Sequence, residues 1–104
     1  MARHAFRMQL KPGMQAEYQA RHDAIWPELS DLLRDAGISD YWIFLDEATG
    51  SLFATLELAD ENKRDALPGH PVMQRWWESM APLMETQADN RPLEWPLVPM
   101  FHMA

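Results

Sequence analysis

The chain contains no cysteine, which excludes disulfides, a thiolate nucleophile, thiolate metal sites and iron–sulfur clusters. Positive charge is also scarce: 9 Lys and Arg stand against 16 Asp and Glu, a formal charge of −7 with histidine neutral. No Lys/Arg cluster occurs, so the basic surface that nucleic-acid binding starts from is missing, and nucleic acid is excluded as a partner. Long hydrophobic runs are absent as well. The first segment, MARHAFRMQLKPG, alternates polar and apolar residues and reads neither as a secretory signal nor as a membrane span, so a cytoplasmic protein with no membrane partner is expected. Only four glycines are present, and none forms a Gly-rich phosphate loop. The four histidines, His4, His22, His70 and His102, lack any short metal-ligand spacing, and no Ser/His/Asp nucleophile motif appears; no metal site is expected.

What is present describes one globular domain over residues 1–104, with 47% apolar and 24% charged residues. A chain of this size can bury roughly two-thirds of its unfolded surface. Five tryptophans and eight methionines are many for the length. His4, Phe6, Met8 and Leu10 alternate with polar or small residues, the period of a strand that Pro12-Gly13 ends. From Met14 to Ala36 the apolar spacing becomes three to four, through Tyr18, His22, Ile25, Leu29 and Leu32/Leu33, which predicts an amphipathic helix. Pro27 should break it at Trp26 and open a second segment capped by Gly37. Ile38–Leu45 and Ser51–Leu58 read as a hairpin joined by DEATG. Asp60 is a plausible N-cap for a short helix through Leu67. Pro71 then starts a helix whose apolar stripe is Val72/Met73, Trp76/Trp77, Met80 and Leu83/Met84. The proline-rich tail should be loop until VPMFHM, which can form an edge strand.

The order strand, helix, strand, strand, helix, strand matches a ferredoxin-like α+β unit, βαββαβ, with an antiparallel sheet. Both hairpin strands carry large apolar residues on both faces: Tyr41, Ile43 and Leu45 against Trp42 and Phe44, then Leu52, Leu56 and Leu58 against Phe53. The chain's helices can cover one face only. A homodimer packed sheet on sheet, or the C-terminal tail folded back, would cover the other.

Tyr18 and His22 lie one turn apart on the inner face of the first helix. A histidine there can be a core residue satisfied by a backbone carbonyl, or a group that gives and takes protons near neutral pH. Tyr41 can open into the same space or simply serve as a half-buried strand residue. Trp76 and Trp77 are adjacent on a helix and point about 100° apart, so at least one belongs at the edge of the apolar stripe. One can wall a pocket, offering a ring face to C–H surface and an indole N–H to a hydroxyl. Asp23, Glu28, Asp46, Asp89 and Asn90 are further polar candidates, although most such residues are solvated surface.

In order along nearly the whole chain, EYQARHDAIWPEL (17–29), YWIFLD (41–46), QRWWESM (74–80) and the late ADNRP and MFHM resemble the L-rhamnose mutarotase family. The resemblance implies a cytoplasmic homodimer of ferredoxin-like subunits, a dimeric α+β barrel. It implies an isomerase without a cofactor that interconverts the anomers of L-rhamnose in support of its catabolism. It makes His22 the catalytic proton donor, and Tyr18, Tyr41, Trp76 and Trp77 the sugar contacts. Two segments depart from the family's pattern, residues 67–71 and 93–96, and where they line the pocket they bear on sugar preference. Two other readings share the architecture: a haem-handling enzyme with His22 on the iron, and a sugar-binding dimer without catalysis.

Overall fold

The computed structural model covers residues 1–104 and places four antiparallel strands in one sheet, in the order β2-β3-β1-β4. The strands are β1 (Ala2–Gln9), β2 (Ile38–Asp46), β3 (Ser51–Leu58) and the short β4 (Trp95–Pro96). Helices α1 (Gln15–Asp23), α2 (Pro27–Asp35) and α3 (Pro71–Met80) complete the α+β unit, with β1 and β3 central as a ferredoxin-like connection requires.

Local chemistry accounts for the boundaries. Trp26 precedes a proline and takes an extended backbone, φ −62° and ψ 129°, so the helical run divides into α1 and α2 with Pro27 at the first helical position. Gly37 follows α2 at φ +92°. A Cβ there would lie 3.0 Å from that of Asn62 and 3.2 Å from that of Ala59, so glycine serves both the turn and the close approach. His70 caps α3, its Nδ1 accepting from the Val72 N–H at 3.3 Å.

Along β1 and β3, Phe6 and Met8 and then Leu52, Ala54 and Leu56 point to the helices and are buried with Leu29, Met73, Trp76, Met80 and Leu83. The opposite face carries a row that crosses all four strands: Phe44, Phe53, Arg7 and Trp95 stand in register. Trp42 stacks on Phe44 with ring centroids 5.6 Å apart. The two remain 54% and 52% exposed.

Three expectations need correction. The helix opened by Pro71 ends at Met80: Ala81–Leu83 is a 3-10 turn, and Met84 is extended and bridges Leu10 at the end of the first strand, so Leu83 and Met84 join the core from outside the helix. Asp60 caps no helix: its carboxylate pairs with the Met1 amino group, and the following turn is a 3-10 segment that starts only at Arg64. The edge strand is Trp95–Pro96, whereas residues 97–104 form no regular structure. Trp95 pairs with Arg7, whose guanidinium lies 4.1 Å from its ring, and the missing backbone donors of Pro92, Pro96 and Pro99 keep the strand to two residues. No helix is long and apolar enough to cross a membrane.

Candidate active site

A cavity of about 1420 Å³ opens between the helices and the inner face of the sheet. All five residues singled out from the sequence line it: Tyr18, His22, Tyr41, Trp76 and Trp77. Small-molecule sites commonly measure about 300–1,000 Å³, so this cavity can admit a small ligand with room to spare.

Tyr18 and His22 project from one face of α1 as their spacing dictates, with ring centroids 4.4 Å apart. His22 meets Trp76 edge-on at 5.4 Å, and Trp26, at the head of α2, meets the same indole edge-on from 5.2 Å. Trp76 is therefore clasped by side chains from both sides of the α1–α2 break, and only 7% of its surface is exposed. Trp77 is half-buried at the cavity wall, the division of labour expected for neighbours on a helix. Arg21 ties α1 to α3, donating to the Ser79 carbonyl while its Nε pairs with Glu17 at 2.8 Å.

Tyr41 reaches the cavity through a β-bulge. Ser39 pairs with Glu57 and Trp42 with Thr55, so β2 spends one residue more than β3 over this interval. Asp40 absorbs the irregularity at φ +47°, held by Arg3 at 2.8 Å and by the Trp42 indole N–H at 2.9 Å. The extra residue lets Ile38 and Ile43, an odd number of positions apart, both join the core, and it brings Tyr41 to the helix side. The Asp40 carboxyl titrates below its usual range because Arg3 and Trp42 donate to it.

His22 Nδ1 lies 3.0 Å from the Tyr18 carbonyl oxygen, which can only accept, so the proton sits on Nδ1 and Nε2 carries the lone pair. The backbone carbonyl thus satisfies one nitrogen of His22 and leaves the other without a protein partner. Burial lowers the His22 pKa, against the opposing effects of that hydrogen bond and of Asp23. The imidazole is neutral at pH 7. Burial raises the Tyr18 pKa, and the nearby Tyr41 adds to the effect. The Tyr41 phenol, crowded by the protein at its tip while its residue stays 39% exposed, is raised chiefly by lost solvation and then by Glu94. Both phenols keep their protons and act through hydrogen bonds. The Tyr18 hydroxyl, His22 Nε2 and the two indole N–H groups make no hydrogen bond within the protein, yet none is sealed from the cavity. An apolar wall with several unengaged donors and acceptors matches a small polyhydroxylated ligand.

Of the other acids considered, Asp23 lines the cavity. Asp46 and Asp89 accept hydrogen bonds within turns, Asn90 supplies a left-handed backbone, and Glu28 lies in the first turn of α2. Sequence reasoning missed Arg64, Gln87, Arg91 and Glu94, all of which line the cavity. They come from the 3-10 turn and the tail, where no periodicity gives a direction to a side chain; only the departure of residues 93–96 from the family's pattern pointed there. No group of three or more His, Asp or Glu is arranged to hold a metal ion.

Comparison with known proteins meets this geometry. Residues 3–103 match the family model described as L-rhamnose mutarotase. An L-rhamnose mutarotase of Jannaschia sp. (strain CCS1) is 60% identical over 103 residues, 99% of each chain. One of Sinorhizobium fredii is 58% identical over 104 residues, the whole of both chains. The crystal structure of an L-rhamnose mutarotase from Formosa agariphila matches with a TM-score of 0.93 at 39% identity, covering 100% of both chains.

Proposed function

The chain belongs to the L-rhamnose mutarotase family, and from that premise we propose that it interconverts the α and β anomers of L-rhamnopyranose, with His22 moving the proton and Tyr18, Tyr41, Trp76 and Trp77 holding the sugar. The observation that carries the reading is the fixed tautomer of His22. Its Nδ1 proton is engaged by the Tyr18 carbonyl, so Nε2, on a residue that lines the cavity, is the nitrogen left to exchange a proton with a ligand.

Mutarotation removes the proton of the anomeric hydroxyl, breaks the bond between C1 and the ring oxygen, and places a proton on that oxygen. The aldehyde end rotates and the ring recloses by the same steps in reverse. Both oxygens are bonded to C1, so one group beside C1 can serve both. Neutral His22 takes the anomeric proton, and the imidazolium so formed is the proton donor to the ring oxygen as the ring opens. No electron or group leaves the sugar, so the balance closes without a cofactor. Acid–base catalysis contributes typically about 10²–10⁴-fold, a fitting scale for a reaction that water alone supports. Trp77 offers a ring face to the C–H surface and methyl group of a 6-deoxy sugar, Trp76 meets the sugar with the part of its indole that lines the cavity, and the phenols of Tyr18 and Tyr41 bond its hydroxyls.

The same reading makes the molecule a homodimer, the dimeric α+β barrel, located in the cytoplasm. What supports a second copy is the outer sheet face, where Trp42, Phe44, Phe53 and Trp95 form an apolar surface on the side no helix covers. Val98, Met100, Phe101 and Met103 of the tail are exposed, as are Trp42 and Phe44, so the tail does not seal that face.

The activity is tested by saturation transfer between the anomeric proton signals of L-rhamnose, with L-fucose and D-glucose as comparisons. Micromolar protein is expected to accelerate exchange in L-rhamnose above the other two. No acceleration in any sugar would overturn the reading.

A further inference from the structure

One charged pair in the cavity is used neither by the fold nor by the proton transfer. Arg64 opens the 3-10 turn after β3, and Glu94 immediately precedes β4. Their Nη2 and Oε2 atoms stand 3.6 Å apart, too far for a strong hydrogen bond, and both residues line the cavity that holds His22 and Tyr41.

Their placement is firm although their mutual bond is slack. Arg64 has its guanidinium carbon 5.6 Å from the centre of the buried Phe6 ring, on the inner face of β1, and its backbone N–H bonds to Asn62 Oδ1 at 3.2 Å. Glu94 is fixed from both sides. The Leu93 N–H donates to the Glu85 carbonyl at 3.1 Å, and Trp95 pairs with Arg7. Since Trp95 belongs to the outward row, alternation sends Glu94 to the helix side. One carboxylate oxygen and most of the guanidinium N–H donors consequently have no protein partner, in half-buried side chains beside an open cavity. Arg64 and Glu94 both act electrically on the Tyr41 hydroxyl, and Arg91 acts on Glu94, which places the pair beside Tyr41, whereas neither acts on His22. Burial raises the Glu94 pKa against the pull of Arg64 and Arg91.

A forked donor beside a carboxylate acceptor, with an ångström of slack between them, suits two adjacent hydroxyl groups: one accepts from the guanidinium and the other donates to the carboxylate. A pyranose held with C1 against His22 turns its remaining ring hydroxyls away from that histidine. We propose that Arg64 and Glu94 are substrate-binding residues that clamp the ring hydroxyls remote from the anomeric carbon, and so set the preference among epimeric aldoses. The clamp rests on the mutarotase reading for the sugar's orientation, but its binding role can be read without turnover.

The test compares the parent with Glu94→Gln and Arg64→Met. Anomer exchange gives kcat and KM for L-rhamnose and for L-fucose, which differs in the configuration of ring hydroxyls, and calorimetric titration gives L-rhamnose affinity directly. Losing a charge-assisted hydrogen bond should raise KM and Kd for L-rhamnose about tenfold or more, with kcat changed far less, and should narrow the preference over L-fucose. Melting temperature identifies a purely structural role, which would lower stability and weaken both sugars in proportion. Unchanged KM and Kd, or an unchanged preference between the sugars in folded variants, would overturn the proposal. Absence of exchange in the parent would instead sink the mutarotase reading, and the titration would still decide whether the clamp binds sugar.

Discussion

His22 meets two demands through its two nitrogens: Nδ1 is fixed by the Tyr18 carbonyl, and Nε2 is left basic inside the cavity. Burial lowers its pKa, so the neutral form from which the proposed proton transfer starts predominates at pH 7. The exchange rate should accordingly hold through neutrality and past the ordinary imidazole value of about 6.5, and fall only as the pH drops through the lowered one. A rate that instead rises over that window would mean that the imidazolium starts the reaction. Tyr18→Phe keeps the ring against His22 and removes a hydroxyl that stays protonated; it should raise KM while leaving the position of the acid limb unchanged in a pH–rate profile. Much of this was legible from spacing alone, because residues four apart on a helix must share a face. Which nitrogen bears the proton was not, since that depends on a backbone carbonyl one turn back and its distance.

The β2 bulge and the α1–α2 break together bring side chains from separate elements into one cavity. Pro27 announces the break in the sequence through its missing donor and its constraint on Trp26, and the hairpin was equally plain from its apolar strands and glycine turn. The bulge was not visible: ISDYWIFL reads as an even strand, and only the folded structure shows that Asp40 takes φ +47° and that Ile38, an odd number of positions from Ile43, shares its side. Arg64 and Glu94 were hidden for a related reason, lying where neither a period of 3.6 nor one of 2 directs a side chain. Gly37 and Gly69 supply a matched test of backbone geometry. Gly37→Ala must bear φ +92° and a Cβ 3.0 Å from that of Asn62, and should cost about 1 kcal/mol or more of unfolding free energy. Gly69→Ala meets nothing within 4 Å and should be near neutral by the same denaturant titration.

At the scale of the whole molecule, the two faces of the sheet have separate tasks, the inner one facing the site and the outer one presenting apolar surface. Phe53→Lys places a charge inside the outer row, between Phe44 and Arg7, at a residue that does not line the cavity; it should yield a monomer by light scattering with an unchanged far-UV circular dichroism spectrum. A dimer that persists would remove the outer face from the interface. The buried histidine also couples folding to pH. Its folded pKa lies below that of the unfolded chain, so the unfolded state binds more protons as the pH falls below about 6.5, and stability must decline in that direction until the folded pKa is passed. His22→Gln removes that contribution, and the melting temperatures of parent and variant should draw together as the pH is lowered from 7 through this window. The central claim, that this chain exchanges anomers through His22, is tested most directly by saturation transfer on L-rhamnose with the parent and with folded His22→Gln. The account predicts a fall in the catalysed exchange rate of about 10²–10⁴-fold; exchange by the variant at close to the parent rate would contradict it.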